Sequence, residues 1–178
     1  HREAREHETR LWAAALSDQP GGPRLLTPLG ATDRRTGAVT WRHLGDLTVW
    51  EKIRQFAGWR AVDGPLPAPT VWRKLYVEAM SVLFRAWQTS GRRILPGRIS
   101  PVSVVVPDLE YRDDTFLASI DGWRASSGPL SLLRPMVDGF YRRPTANYPW
   151  LKDHLDLDWI FDAAYDAMGR ERASALFA

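Results

Sequence analysis

The sequence predicts an α+β fold, a mostly helical domain with two small β-hairpins. Three observations carry this reading. A broad apolar stripe recurs at helical spacing over residues 70–90. A β-branched run, Val102 to Val106, lies between Pro101 and Pro107. Two short apolar runs flank a polar, Gly-ending turn between residues 24 and 41. The 178 residues suit a single domain, 1–178, with room for a core. The chain opens on His1 rather than Met, so it can be a piece of a longer polypeptide.

In chain order, residues 3–17 read as a helix with Leu11, Trp12, Ala15 and Leu16 on its apolar side. Gln19-Pro20-Gly21-Gly22-Pro23 ends it. Residues 24–29 and 38–41 read as the first hairpin, and Pro28 confines its first strand to an edge. A helix follows over 48–57. Thr48 and Glu51 have capping-box spacing, Trp50, Ile53 and Ala57 share a face, and Gly58 supplies the stop. Residues 63–69 form an extended connector.

The strongest element is the helix 70–90. Trp72, Leu75, Tyr76, Ala79, Leu83, Ala86 and Trp87 repeat on it, and a stripe this broad belongs to a central buried helix closed by Gly91. The second hairpin joins strands 102–107 and 115–120. After Gly128 a helix places Leu130, Leu133, Val137 and Phe140 on its stripe, with Pro135 near its start or at a kink. Pro144, Asn147 and Pro149 mark a loop. Asp158 caps a helix that buries Ile160, Phe161, Ala164 and Met168, and Gly169 ends it. A short helix over 171–177 closes the chain.

Composition narrows the function classes. Hydrophobic residues are 44% and charged residues 25%, as in ordinary globular proteins. The absence of Cys removes disulfides, thiolate metal sites and a cysteine nucleophile together. No stretch reaches the roughly 18 apolar residues of a membrane span, and no secretory h-region is visible, so the setting is read as cytoplasmic. The net charge is only +3, carried by Arg residues that are spread along the chain in short pairs such as Arg34-Arg35, Arg92-Arg93 and Arg142-Arg143. A nucleic-acid binder usually concentrates its charge, so that partner class trails.

Residues 97–106, Gly-Arg-Ile-Ser-Pro-Val-Ser-Val-Val-Val, follow the long helix and precede a hairpin ending Ile120-Asp121-Gly122-Trp123. This resembles the C-lobe of the protein-kinase-like fold in its aminoglycoside-phosphotransferase-like form. There a helix leads into a His-Gly-Asp-Leu-x-Pro-x-Asn loop, an apolar strand, and a strand ending in Asp-Phe or Asp-Trp. The resemblance in element order covers roughly residues 5–125, and its residue-level support is confined to 97–106 and 120–123. It implies that Asp121 stands where the family holds its metal, and that Arg98, Ser103 and Trp123 line the ligand side. ATP and Mg²⁺ are the implied cofactors if that site still functions.

The same comparison shows what is missing. The family's loop His falls on Pro96, its general-base Asp on Arg98 and its metal-binding Asn on Ser103. A guanidinium cannot accept a proton. The chain also has no Gly-rich phosphate loop or lysine-bearing strand ahead of its first helix.

Each residue has a plain reading beside the functional one. Asp121-Gly122 is common turn chemistry. Arg98 can be a surface or salt-bridging residue, and Ser103 a packed core Ser. Trp12, Trp50, Trp72, Trp87 and Trp159 fall on apolar stripes. Trp41, Trp59, Trp123 and Trp150 lie at ends or loops and are better placed for contacts, Trp41 and Trp59 with a partner. His43 with Asp46 is a candidate acid/base pair with no Ser in a nucleophile-elbow context beside it. Asp153, His154, Asp156 and Asp158 are a candidate cation group whose spacing matches no metal signature and whose plain reading is helix capping.

The expected function is a non-catalytic kinase-like binding or regulatory module of a larger protein, with another domain or protein chain as partner. The alternatives are a divergent ATP-dependent phosphotransferase completed by another segment, and a small helical nucleic-acid-binding domain.

Overall fold

The computed structural model describes residues 24–25, 48–105, 116–117 and 123–178. The expected helix 3–17 and the second strand of the first hairpin, 38–41, lie outside them. Its elements are β1 (Arg24–Leu25), α1 (Val49–Ala61), α2 (Pro69–Thr89), β2 (Ile94–Pro96), β3 (Val104–Val105), β4 (Phe116–Leu117) and β5 (Trp123–Ala125). These are followed by α3 (Leu130–Val137), a π turn at Asp138–Arg142, α4 (Arg143–Asn147), a 3-10 turn at Pro149–Asp153, α5 (Trp159–Met168) and α6 (Arg170–Phe177). The described part is mostly helical with two small sheets, as an α+β reading requires.

The long helix is the centre. Trp72, Leu75, Tyr76, Ala79, Leu83 and Phe84 of α2 are wholly buried. α5 packs along it, with the Ser81 hydroxyl donating to the carbonyl of Ala163 at 3.1 Å and Arg73 reaching Asp162 at 2.9 Å. At the end of α2, Arg92 N–H returns to the Trp87 carbonyl at 2.8 Å and Gly91 N–H to the Gln88 carbonyl at 2.9 Å. This is a Schellman stop with Gly91 at φ +67°.

α1 begins where the sequence places it: Thr48 Oγ1 accepts from the Glu51 amide at 3.2 Å. The reciprocal half of the box differs, since the Thr48 hydroxyl donates to the Glu51 carboxylate. The expected stop at Gly58 is overturned, because the helix runs on to Ala61. A second Schellman closure ends it, with Gly64 N–H on the Trp59 carbonyl at 2.8 Å and Asp63 N–H on the Arg60 carbonyl at 3.1 Å. Asp63 takes the left-handed position at φ +53°, which Asp tolerates better than most residues. Gly64 is required by close approach: a Cβ there would lie 2.9 Å from the Trp59 carbonyl oxygen.

The strands are shorter than expected and pair differently. Val104–Val105 runs antiparallel to Phe116–Leu117, which is the described part of the second hairpin. Its first strand starts at Val104 and not Val102, because Pro101–Ser103 forms a 3-10 turn and Val102 is exposed. Arg24–Leu25 lies parallel to β4, so the strand read as one arm of a local hairpin has a distant partner within the chain. β2 and β5 form a separate antiparallel pair, Pro96 opposite Trp123.

After Gly128 the two prolines are accommodated by different devices. Pro135 sits inside α3 and has no N–H for the Ser131 carbonyl; Arg124 Nη2 donates to that carbonyl instead, at 2.7 Å. Pro144 opens α4, where the expected loop stood, because Pro is tolerated in a first helical turn. Just before it the chain widens into the π turn, closed by Arg143 N–H on the Asp138 carbonyl. The five-residue step also brings the two side chains together, with Arg143 Nε on Asp138 Oδ2 at 2.8 Å.

The buried face of this region is also different from the expected one. Phe140 is wholly buried as expected, and Leu132 and Met136 join it, while Leu130 is 59% exposed and Leu133 and Val137 are half-buried at the edge of the core. At α5 the Asp158 side chain makes no cap; the Asp156 carboxylate accepts from the Asp158 amide at 2.9 Å. Ile160, Ala164 and Met168 are buried as expected, but Phe161 is exposed and rests on Phe177, ring centres 4.5 Å apart.

Tyr76 and Tyr141 give a pH-dependent prediction. Burial holds both phenols well above the ordinary value of 10.0; Tyr141 pushes Tyr76 further, and Asp156, Asp158 and Asp162 push Tyr141. The folded chain thus keeps protons that the unfolded chain releases above about pH 10. Stability is then fully present below that pH and lost as the pH rises through it. Among the described residues the buried Tyr76 hydroxyl has no hydrogen-bond partner. Tyr76→Phe should therefore raise the urea midpoint, by up to about 1 kcal/mol of stability, and flatten the alkaline decline. A lower midpoint, or an unchanged decline, contradicts this.

Candidate functional site

β2 and β5 carry the two arms of the candidate site. Their pairing holds Pro96 opposite Trp123, and Ser126 N–H reaches back to the Arg93 carbonyl at 2.8 Å. Residues 97–100 leave β2 and enter the 3-10 turn, which the Ser103 amide closes on the Ser100 carbonyl at 2.9 Å. β3 then carries the chain away, and Thr48 at the head of α1 bridges to Val105. Gly139 of the π turn backs the loop, and a Cβ there would fall 2.6 Å from the Ile99 carbonyl oxygen.

Three of the four expected ligand and metal residues lie in described segments. Ser103 is 4% exposed and its hydroxyl donates to the Arg98 carbonyl at 3.0 Å, so its oxygen braces the loop. Arg98 is exposed, and Trp123 is half-buried. Asp121 lies outside the described residues, as does Trp41 of the two expected interface residues. Trp59 is 45% exposed at the end of α1, its ring 5.3 Å from Phe56. Beside it Arg60, Asp63, Gly64 and Leu66 line an open depression of about 430 Å³.

The remaining Trp residues mostly build the core. Trp72 and Trp87 are wholly buried, and Trp50 and Trp159 are half-buried against the core. Trp150, at first sight a loop residue, belongs to an aromatic cluster. It meets Trp72 at 6.1 Å and His154 at 5.6 Å, and Arg60 lies 5.3 Å from its ring centre. His154 stacks on Trp72 at 5.8 Å. Among the described residues no group of three or more His, Asp or Glu is placed to hold a metal ion. His43 and Asp46 lie outside them. No described helix is long and apolar enough to cross a membrane.

A second feature escaped the sequence reading. Leu130, Leu133 and Val137 line an open groove of about 800 Å³, whose rim carries Arg134, Arg142 and Arg143. The signal was present: the aliphatic stripe and the Arg142-Arg143 pair are both visible in the sequence. Helical spacing alone does not say which stripe meets the core. No family model, curated protein or solved structure matches the chain.

Proposed function

We propose that this chain is a non-catalytic, kinase-like binding module, a cytoplasmic regulatory part of a larger protein whose partner is another domain or protein chain. The observation that carries the reading is the loop 97–103. Where a phosphotransferase of this kind needs a proton acceptor the chain has Arg98, and the Ser103 hydroxyl is committed to that residue's own carbonyl. The order of elements supports the kinase-like part: long helix α2, loop, apolar β3, and β4 antiparallel to it. Exposed Trp59, followed by Val62 at 77% exposure, supports a contact face at the end of α1.

The test is a thermal-shift and turnover assay with ATP and Mg²⁺. A ligand that binds the folded state raises its melting temperature by mass action. The expected result is no turnover. ATP-dependent turnover that disappears in Asp121→Ala would identify a divergent enzyme and overturn the reading.

A further inference from the structure

The groove between α3 and the π turn has two features that belong together. Its floor is aliphatic, with Leu130 more than half exposed and Leu133 and Val137 half-buried. The apolar floor is small, so the charge of its rim decides what it suits. Its rim is cationic. Arg143 is paired with Asp138, while Arg134 and Arg142 are exposed and, among the described residues, meet no carboxylate. The π turn at Asp138–Arg142 carries part of this rim and sets Arg143 Nε on Asp138 Oδ2 at 2.8 Å. Such widened turns are frequent at functional sites.

We infer that this groove binds an acidic amphipathic helix of a partner protein. The aliphatic floor receives the Leu-rich stripe of such a helix, and Arg134 and Arg142 take the carboxylates that flank it. Two other anionic surfaces fit less well. Bases of single-stranded nucleic acid stack on aromatic rings, and among the described residues the groove walls contain none. A membrane surface takes a row of protruding apolar side chains, whereas here Leu130 alone protrudes and Leu133 and Val137 are half-buried. The inference rests on the binding-module reading and names its partner class. ATP-dependent turnover would sink that reading without touching the groove, and an inert groove would leave that reading standing.

The test uses the full chain and a fluorescein-labelled synthetic helix of about four turns, with Leu along one stripe and Glu on both flanks. Fluorescence polarisation should show saturable binding that weakens with salt. Arg134→Glu with Arg142→Glu should weaken it at least about tenfold, and Leu130→Ser should weaken it at constant salt. Arg170→Glu, on α6 and away from the groove, should leave it unchanged. A helix carrying Lys in place of Glu should not bind. The inference is overturned by no binding, by equal binding to the Arg134→Glu/Arg142→Glu chain, or by tighter binding to phosphatidylserine vesicles or to a single-stranded oligonucleotide.

Discussion

Trp87→Ala is expected to lower stability by about 3–5 kcal/mol, the range for emptying a buried aromatic site. Trp87 is 1% exposed in the last turn of α2. Its carbonyl accepts the Schellman bond from Arg92, whose guanidinium lies 5.3 Å from the centre of the indole ring. Its Nε1 donates to Ser126 Oγ at 2.9 Å and so ties the end of the helix to the segment after β5. Removing the ring opens a cavity, frees the arginine and loosens β5 from α2. Against the 5–15 kcal/mol that holds a typical domain together, roughly, this loss is large enough to leave part of the chain unfolded. Trp87→Phe keeps most of the volume and forfeits chiefly the hydrogen bond, so it should cost about 1–2 kcal/mol. Urea midpoints with an unchanged slope measure both. Equal, small losses for Ala and Phe would show that the ring is not part of the cooperative core.

Gly139→Ala is expected to destabilise by about 1–3 kcal/mol through overpacking, and to do so by displacing the candidate loop. The added methyl would meet backbone, the Ile99 carbonyl oxygen at 2.6 Å and Ser100 Cα at 3.1 Å, and backbone cannot swing aside as a side chain can. Either the π turn or residues 97–103 must move, and the bonds that brace the loop, such as Ser103 to Arg98, move with it. Hydrogen exchange should quicken at the Ser103 amide, whose bond to Ser100 closes the turn. Gly58→Ala is the contrast. Nothing lies within 4 Å of its added methyl and the residue is inside α1, so that change should stabilise by about 0.5–1 kcal/mol. A neutral Gly139→Ala with unaltered exchange would mean that the loop and the π turn are not in the contact described.

Local signals left several points to the tertiary structure. The stop of α1 moved from Gly58 to Asp63 and Gly64, because a lone glycine inside a helix is a modest penalty that packing of Val49, Ile53 and Phe56 overrides. Pro144 read as a loop residue but opens a helix. Ser103 and Arg98, named separately from a sequence resemblance, prove to be joined by one hydrogen bond. Of the arginines at the groove, Arg142 and Arg143 stood out as a pair, and Arg134 stood in no local pattern.

By itself the sequence determined the α+β character, the long buried helix with Leu83 and Trp87 at its heart, the Thr48 cap, the left-handed closure at Gly91 and the break at Gly169. Each of these is decided within about one or two turns of chain, by a hydroxyl three residues from an amide, a positive φ, or a stripe broad enough to leave no other face. Only the tertiary structure decided which stripe of α3 is buried. Leu130, Leu133 and Val137 recur at helical spacing, and so do Leu132, Met136 and Phe140. Leu132 and Met136 lie wholly inside together with Phe140, next to the π turn where Gly139 permits close approach to the backbone at Ile99. The tertiary structure likewise decided the distant pairing of Arg24–Leu25 with Phe116–Leu117. Partners far apart in the chain leave no mark on local periodicity, and their choice rests on what lies across the interface.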